Sequence, residues 1–239
     1  MSIKLENVVL QSPEQMNFII EGMRNPKNSW DKMDSWNCTT CKEENMNPGF
    51  CDDESCYHLG PNDHSLMQRL SNAGTEHRKY MRMVPVYVRI TAPLYWWKEF
   101  DTYKIGTVSN SCSTMHKIAE REFALEDFSV EHLETIARFD DDNEPHQPYM
   151  LIKSVINCLN ACRKTYLETK SKTDWWQMIQ LLPSSYNQTR NVMLNYEVLA
   201  NIYRQRKNHK LDEWREFCKW VESLPYSELI AGKIDKEVA

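Results

Sequence analysis

The sequence predicts a helix-rich α+β domain, and three observations lead there. Apolar residues at three- and four-residue spacing dominate the chain, above all beyond residue 148. One short run, Val86-Tyr87-Val88-Arg89-Ile90, alternates apolar and polar positions as a strand does. Glycine is scarce, 6 in 239 residues, which argues against a turn-rich sandwich of strands. With 41% hydrophobic residues the chain has apolar surface enough to build a core, and its length fits a single domain over 1–239.

The elements follow in order. Ser12 can cap a helix, Pro13 suits its first position and Gln15 can complete a capping box. Met16, Ile19, Ile20 and Met23 then recur at helical spacing. Over 25–61 no period survives, and Asn, Asp, Gly, Pro and four cysteines mark an irregular loop that needs internal fastening. Helices are expected over 62–73, stopped by Gly74, and over 75–83. After the alternating strand, Pro93 opens an aromatic helix over 94–100. A small polar stretch covers 107–114, Ser129 caps a helix ending near Phe139, and Asp140-Asp141-Asp142 make a solvated loop. A long helix over 149–169 comes next, then a shorter one carrying Trp175 and Trp176, with Pro183 breaking the run. Helices over 195–207 and 211–223 complete a helix-rich C-terminal half.

Composition excludes several function classes. A net charge of −5 argues against a broad phosphate-tracking surface, so a nucleic-acid polymer is not the expected partner. No run of eighteen apolar residues occurs, and Met1-Ser2-Ile3-Lys4-Leu5-Glu6 is no signal peptide. The expectation is a cytoplasmic protein away from membranes, its 8 cysteines mostly reduced thiols.

Three stretches concentrate chemistry. Between Lys104 and Lys117 lie five hydroxyl side chains, the Cys112 thiol, Asn110 and His116. Small polar side chains around Gly106 let backbone N–H groups approach an anion, and the flanking cations add charge. The same composition suits a loop whose Ser and Thr groups satisfy themselves. From 195 to 215, Asn195, Asn201, Arg204, Arg206, His209, Glu213 and Arg215 recur. Asn195 and Arg206 are eleven residues apart, about three turns, and share a face if the helix is continuous. The plain alternative is a solvated C-terminal turn whose cations complement the helix dipole. Finally, Cys38-x2-Cys41 and Cys51-x4-Cys56 could hold structural zinc, with His58 and His64 as spare ligands, or could be plain thiols. Cys158, Cys162 and Cys218 read as small buried residues on helices, and the Trp96-Trp97 and Trp175-Trp176 pairs as core.

In order and spacing, these motifs resemble those of the flavin-dependent thymidylate synthases. Ile90-Thr91-Ala92-Pro93-Leu94-Tyr95 is similar to the strand, Ala-Pro turn and helix that lead into that family's signature. The signature, Arg-His-Arg followed by seven or eight residues and Ser, falls here on Thr102-Tyr103-Lys104, with eight residues before Ser113. Leu181-Leu182-Pro183-Ser184-Ser185-Tyr186 looks like the Leu-Pro segment before the family's long helix. Asn195, Asn201 and Arg206 match an Asn, Asn, Arg series, His209 falls one residue early, and Glu213-x-Arg215 matches the following Glu-x-Arg. The resemblance covers 74–224.

The resemblance implies a curved antiparallel sheet flanked by helices, a homotetramer with shared active sites, and a pyrimidine nucleotide such as dUMP as substrate. It implies FAD as hydride carrier, methylenetetrahydrofolate as carbon donor and NADPH as a candidate reductant. Carried over by position, Asn195, Asn201 and His209 would contact flavin, with Lys104 as the remaining signature cation. Arg206 would contact the nucleotide and Ser113 would sit beside the base. Cys112 is an alternative nucleophile toward C6 of the pyrimidine, its thiolate favoured by Lys104, His116 or Lys117. The departures are specific. Two of three signature cations are gone, Asn110-Ser111 lacks the family's carboxylate, Met115 replaces an Arg, and Glu197 stands where the resemblance expects a cation. Two functions follow: a divergent enzyme adding a methyl or hydroxymethyl group at C5, or a catalytically silent homologue that binds a nucleotide or a protein partner.

Overall fold

A computed structural model describes residues 3–37 and 57–232. Cys38, Cys41, Cys51 and Cys56 lie outside the described residues. Strand β1 (Lys4–Leu10) leads into helix α1 (Pro13–Arg24), where the capping box is present: the Ser12 amide donates to Gln15 Oε1 at 2.8 Å and the Gln15 amide to Ser12 Oγ at 3.3 Å. Met16, Ile19, Ile20 and Met23 are buried, as their spacing predicts. The irregular region holds two 3₁₀ turns, Asn25–Lys27 and Trp30–Lys32, and a small antiparallel pair, β2 (Trp36–Asn37) with β3 (Tyr57–His58). His58 stacks on Trp36 at 4.8 Å, and His64 contacts Glu228, so both spare histidines have other partners.

Helix α2 (Pro61–Ser71) ends before Gly74, whose φ of +108° favours a residue without Cβ. The helix expected over 75–83 is replaced by a 3₁₀ turn, Lys79–Met83. Its adjacent Tyr80 and Met81 are both buried, and Arg78 just before it is buried too. Strand β4 (Pro85–Pro93) buries Val86, Val88, Ile90 and Ala92 on alternate positions. Helix α3 (Leu94–Phe100) buries Trp96, Trp97 and Phe100.

The stretch expected as a polar loop is partly strand β5 (Val108–Ser111), followed by the short helix α4 (Thr114–Lys117). The helix expected from Ser129 to Phe139 is absent. Ser129 is instead tied to the segment before the last strand, its amide donating to the Ser185 carbonyl at 2.9 Å and its hydroxyl to Asn187 at 3.2 Å. Val130, Leu133 and Ile136 have helical spacing, but Leu133 and Ile136 are exposed, so they have no face to bury. Strands β6 (Arg138–Phe139) and β7 (Pro145–His146) form a hairpin around the acidic turn.

Helices α5 (Pro148–Thr169) and α6 (Lys172–Leu181) follow, then strand β8 (Asn187–Asn195), which periodicity does not show. Helices α7 (Tyr196–Arg206), α8 (Asp212–Glu222) and α9 (Glu228–Ala231) end the described chain. The main sheet has the order β1-β4-β8-β5. Arg89 reaches Asn191 at 3.3 Å and Thr91 reaches Thr189 at 2.7 Å, so residue numbers rise along β4 as they fall along β8, an antiparallel register. The sheet is antiparallel with flanking helices, the α+β class expected.

By mutual packing the described residues form two compact units: 3–4, 89–102 and 110–191 in one, and 5–37, 57–88, 103–109 and 192–232 in the other. The first unit's core gathers Ile118, Phe123, Phe128, Ile152, Ile156, Leu159 and Met178. In the second unit Ile20, Met67, Met81, Leu199, Ile202, Trp214 and Phe217 are fully buried. Burying a side chain such as Phe217 is worth about 1.5–3 kcal/mol. Among the described residues, no helix is long and apolar enough to cross a membrane.

Candidate functional site

In the second unit, helix α7 carries most of the candidate residues. Asn195 is its N-cap: Oδ1 accepts from the Val198 amide at 3.0 Å, so Asn195 and Arg206 stand at opposite ends of the helix. Gly106, at φ +80°, lies over this first turn. A Cβ there would come within 3.0 Å of the Asn195 amide nitrogen and of Val198 Cγ2, so only glycine lets 103–109 lie this close. At the far end, Arg206 Nε donates to the Tyr103 hydroxyl at 2.9 Å, and Tyr103 donates to Gln205 Oε1 at 2.8 Å. The Arg206 guanidinium carbon lies 5.0 Å from the Trp214 ring centroid and 5.8 Å from that of Tyr103. A cation over aromatic faces at such distances gains electrostatic attraction, about 0.5–2 kcal/mol according to its exposure.

The remaining members have local duties. Asn201 Oδ1 accepts from Arg204 Nη2, one turn on. His209 Nδ1 accepts from the Leu211 amide at 3.2 Å, its carbonyl accepts from Arg215 at 3.3 Å, and its ring meets Trp214 at 6.4 Å. Arg204 and Lys207 are exposed, as a solvated helix end would be, but Arg206 is half-buried. Glu197 is buried and paired with Arg78, with Nη2–Oε1 at 3.0 Å and Nε–Oε2 at 2.8 Å. A buried carboxylate needs such a partner.

The polar stretch of the first unit is different. Cys112 donates its amide to Thr189 at 2.9 Å and its carbonyl accepts from Gln188 Nε2 at 3.2 Å, holding it to β8. Ser113 caps α4, accepting from the His116 amide at 3.0 Å. Trp175 Nε1 donates to the Met115 carbonyl at 3.0 Å. Lys117 forms an exposed ion pair with Glu120. Cys112, Ser113, His116 and Lys117 are all exposed. Two smaller expectations are corrected here. Cys158 is exposed and Cys162 only half-buried, leaving Cys218 as the buried thiol of the three, and Trp176 is 41% exposed. Their helix faces meet solvent, so a helical position alone does not imply burial.

No protein-family model matches the sequence, and no curated protein matches it. Solved structures do. Thymidylate synthase X (ThyX) from Helicobacter pylori, solved with FAD and dUMP, superposes with a TM-score of 0.60 at 16% identity, covering 98% of this chain and 97% of that one. A second structure of the Helicobacter pylori flavin-dependent enzyme, complexed with FAD and dUMP, gives 0.57 at 16% identity over 98% of each chain. The UMP/dUMP methylase PolB from Streptomyces cacaoi, bound with 5-Br dUMP, gives 0.52 at 10% identity, covering 92% of this chain and 88% of that one. The chain has the fold of the flavin-dependent thymidylate synthases.

The side chains that the resemblance assigns to a flavin keep part of their hydrogen-bonding capacity. Asn195 and Asn201 are half-buried, with their amide oxygens engaged within α7, and their NH₂ groups make no hydrogen bond among the described residues. Lys104 is exposed and charged, and Arg206 supplies a guanidinium. The signature positions themselves have changed use: Thr102 Oγ1 donates to the Glu99 carbonyl at 2.7 Å, and Tyr103 is held between Arg206 and Gln205. Nothing local in the sequence joins Tyr103 and Trp214 to Arg206, or Arg78 to Glu197. Tyr103 and Arg206 are 103 residues apart, and Trp214 sits inside the Glu213-x-Arg215 motif, the one signal that could have drawn attention to it.

Proposed function

We propose that the protein is a divergent enzyme of the flavin-dependent thymidylate synthase type. It transfers a one-carbon group, methyl or hydroxymethyl, from a folate to C5 of a pyrimidine deoxynucleotide such as dUMP. The observation that carries this reading is Arg206, half-buried and held by Tyr103 and Trp214. A guanidinium set in this way can grip a nucleotide without first losing its freedom. The solved structures of this fold bound with dUMP or 5-Br dUMP support the substrate class.

In this reading Arg206 binds the nucleotide and Ser113 lies beside the base. The asparagine amides of Asn195 and Asn201, with His209 and Lys104, hold FAD. FAD, when bound and reduced by NADPH, would supply the hydride that turns the methylene carbon of methylenetetrahydrofolate into a methyl group, whereas a hydroxymethyl product would take up water and need no net hydride. The chain's own share is positioning and charge, since no strong nucleophile is required; Cys112 remains a candidate for attack at C6. The assembly is a homotetramer by resemblance.

The cysteine segment is proposed to hold structural zinc through Cys38, Cys41, Cys51 and Cys56. Asn37 and Tyr57, which flank it, are paired across β2 and β3, so the segment starts and ends side by side. Metal analysis should find one zinc per chain, lost on C38S/C41S substitution; a metal-free protein would end the idea.

A specific observation favours the second reading, a silent homologue that binds a nucleotide or a protein partner. Thr102 and Tyr103 are engaged within the chain where the resemblance expects cations, and Glu197 is paired where another is expected. An absorbance spectrum of the purified protein, followed by FAD titration with and without dUMP, separates the two. A flavin band perturbed by dUMP supports the enzyme. No flavin uptake with nucleotide binding intact leaves the silent homologue.

A further inference from the structure

We propose that Tyr103 is a positioning residue: its hydroxyl sets the plane of the Arg206 guanidinium for the pyrimidine nucleotide. This rests on the reading of Arg206 as the nucleotide-binding cation. The geometry has three parts. The Tyr103 hydroxyl donates to Gln205 Oε1 at 2.8 Å, which directs its hydrogen away and turns a lone pair toward Arg206. Arg206 Nε then donates to that oxygen at 2.9 Å. The Nε–H bond lies in the guanidinium plane, so this contact sets the plane's rotation and not merely its distance. Trp214, fully buried, offers its ring face 5.0 Å from the guanidinium carbon and supports the plane from below.

Helix geometry adds the reason for two adjacent contacts. Gln205 and Arg206 are consecutive on α7 and point in directions about 100° apart, so one hydroxyl reaching both must stand between them. Tyr103 can stand there because it meets Trp214 edge-on at 6.0 Å and because Gly106 lets its segment lie against α7. A long arginine side chain loses much rotamer freedom when it grips a ligand, and a side chain held beforehand loses less on binding. A residue at the signature's middle position has thus exchanged its place in the motif for control of Arg206.

The alternative is that the Tyr103–Arg206 contact only pins 103–109 to the helix. Isothermal titration of the full-length protein with dUMP distinguishes them. Tyr103→Phe, which keeps the ring and removes only the hydroxyl, should weaken dUMP binding about tenfold, about 1.4 kcal/mol, without moving the melting temperature. In an Arg206→Ala background, Tyr103→Phe should have no further effect. In ¹⁵N spectra, the wild-type Arg206 Nε–H should exchange slowly with water and do so faster in Tyr103→Phe. Unchanged dUMP affinity in Tyr103→Phe, or an equal loss in the Arg206→Ala background, overturns the positioning role while leaving the nucleotide reading intact. A wild-type protein that binds no pyrimidine nucleotide sinks the nucleotide reading itself, and this inference with it.

Discussion

Two neighbouring stretches, 103–109 and 110–117, contrast sharply. The second is richer in reactive groups, yet the side chains of Ser113 and Lys117 are answered locally, by the His116 amide and by Glu120, and its long-range contacts, from Cys112 to Thr189 and Gln188 and from Met115 to Trp175, are made by its backbone. The first is poorer in composition but is held by contacts from far along the chain, with Tyr103 meeting Gln205 and Arg206, and Gly106 meeting Asn195 and Val198. What separates the two stretches is therefore side-chain contact: Tyr103 is oriented by partners about a hundred residues away, and Ser113 and Lys117 by partners three residues away.

The contrast has measurable consequences at particular residues. The widest gap should be in thiol reactivity. Cys112 is exposed and should alkylate in the native protein, while Cys218 is 3% exposed and burial, followed by Glu222, pushes its thiol up to about 12. Mass spectrometry after iodoacetamide should find Cys218 modified only under unfolding conditions. Comparable labelling of the two would mean that the second unit is not packed as described.

Truncation comes next. Trp214→Ala should destabilise the protein by about 3–5 kcal/mol in urea unfolding, whereas the exposed Phe139→Ala should stay within about 0.5 kcal/mol. Arg78→Ala strands the buried Glu197 carboxylate and should cost about 3 kcal/mol, with most of the loss recovered in an Arg78→Met, Glu197→Leu double variant. The smallest contrast concerns the caps. Asn195→Ala, at the head of an eleven-residue helix, should cost about 1 kcal/mol, and Ser113→Ala, on a four-residue exposed helix, should fall within about 0.5 kcal/mol. Equal costs for the two caps would erase the distinction between the stretches.

Local patterns were legible in the sequence and long-range ones were not. The capping box of Ser12 and Gln15, the alternation of β4 and the long helix α5 are written within a few residues of themselves, and each stands as expected. Strand β8 was not legible because Gln188 is buried through a hydrogen bond to the Cys112 carbonyl, which breaks the apolar alternation. Strand β1 escaped notice because Val8 and Val9 are both exposed and Asn7 has a positive φ, so no period-two pattern forms. The helix misread at 129–139 had the right spacing without a face to bury. For the site, Arg206 is visible among the polar residues of 195–215, but only the resemblance sets it apart from a solvated helix end. Tyr103 counted there as a loss, since nothing local reveals a partner 103 residues away.

The most direct test of Arg206 as the ligand-binding centre is a dUMP titration of wild type beside Arg206→Ala and Ser113→Ala. Saturable wild-type binding should weaken at least about tenfold in Arg206→Ala and far less in Ser113→Ala. Absence of wild-type binding, or a larger loss from Ser113→Ala, would contradict it.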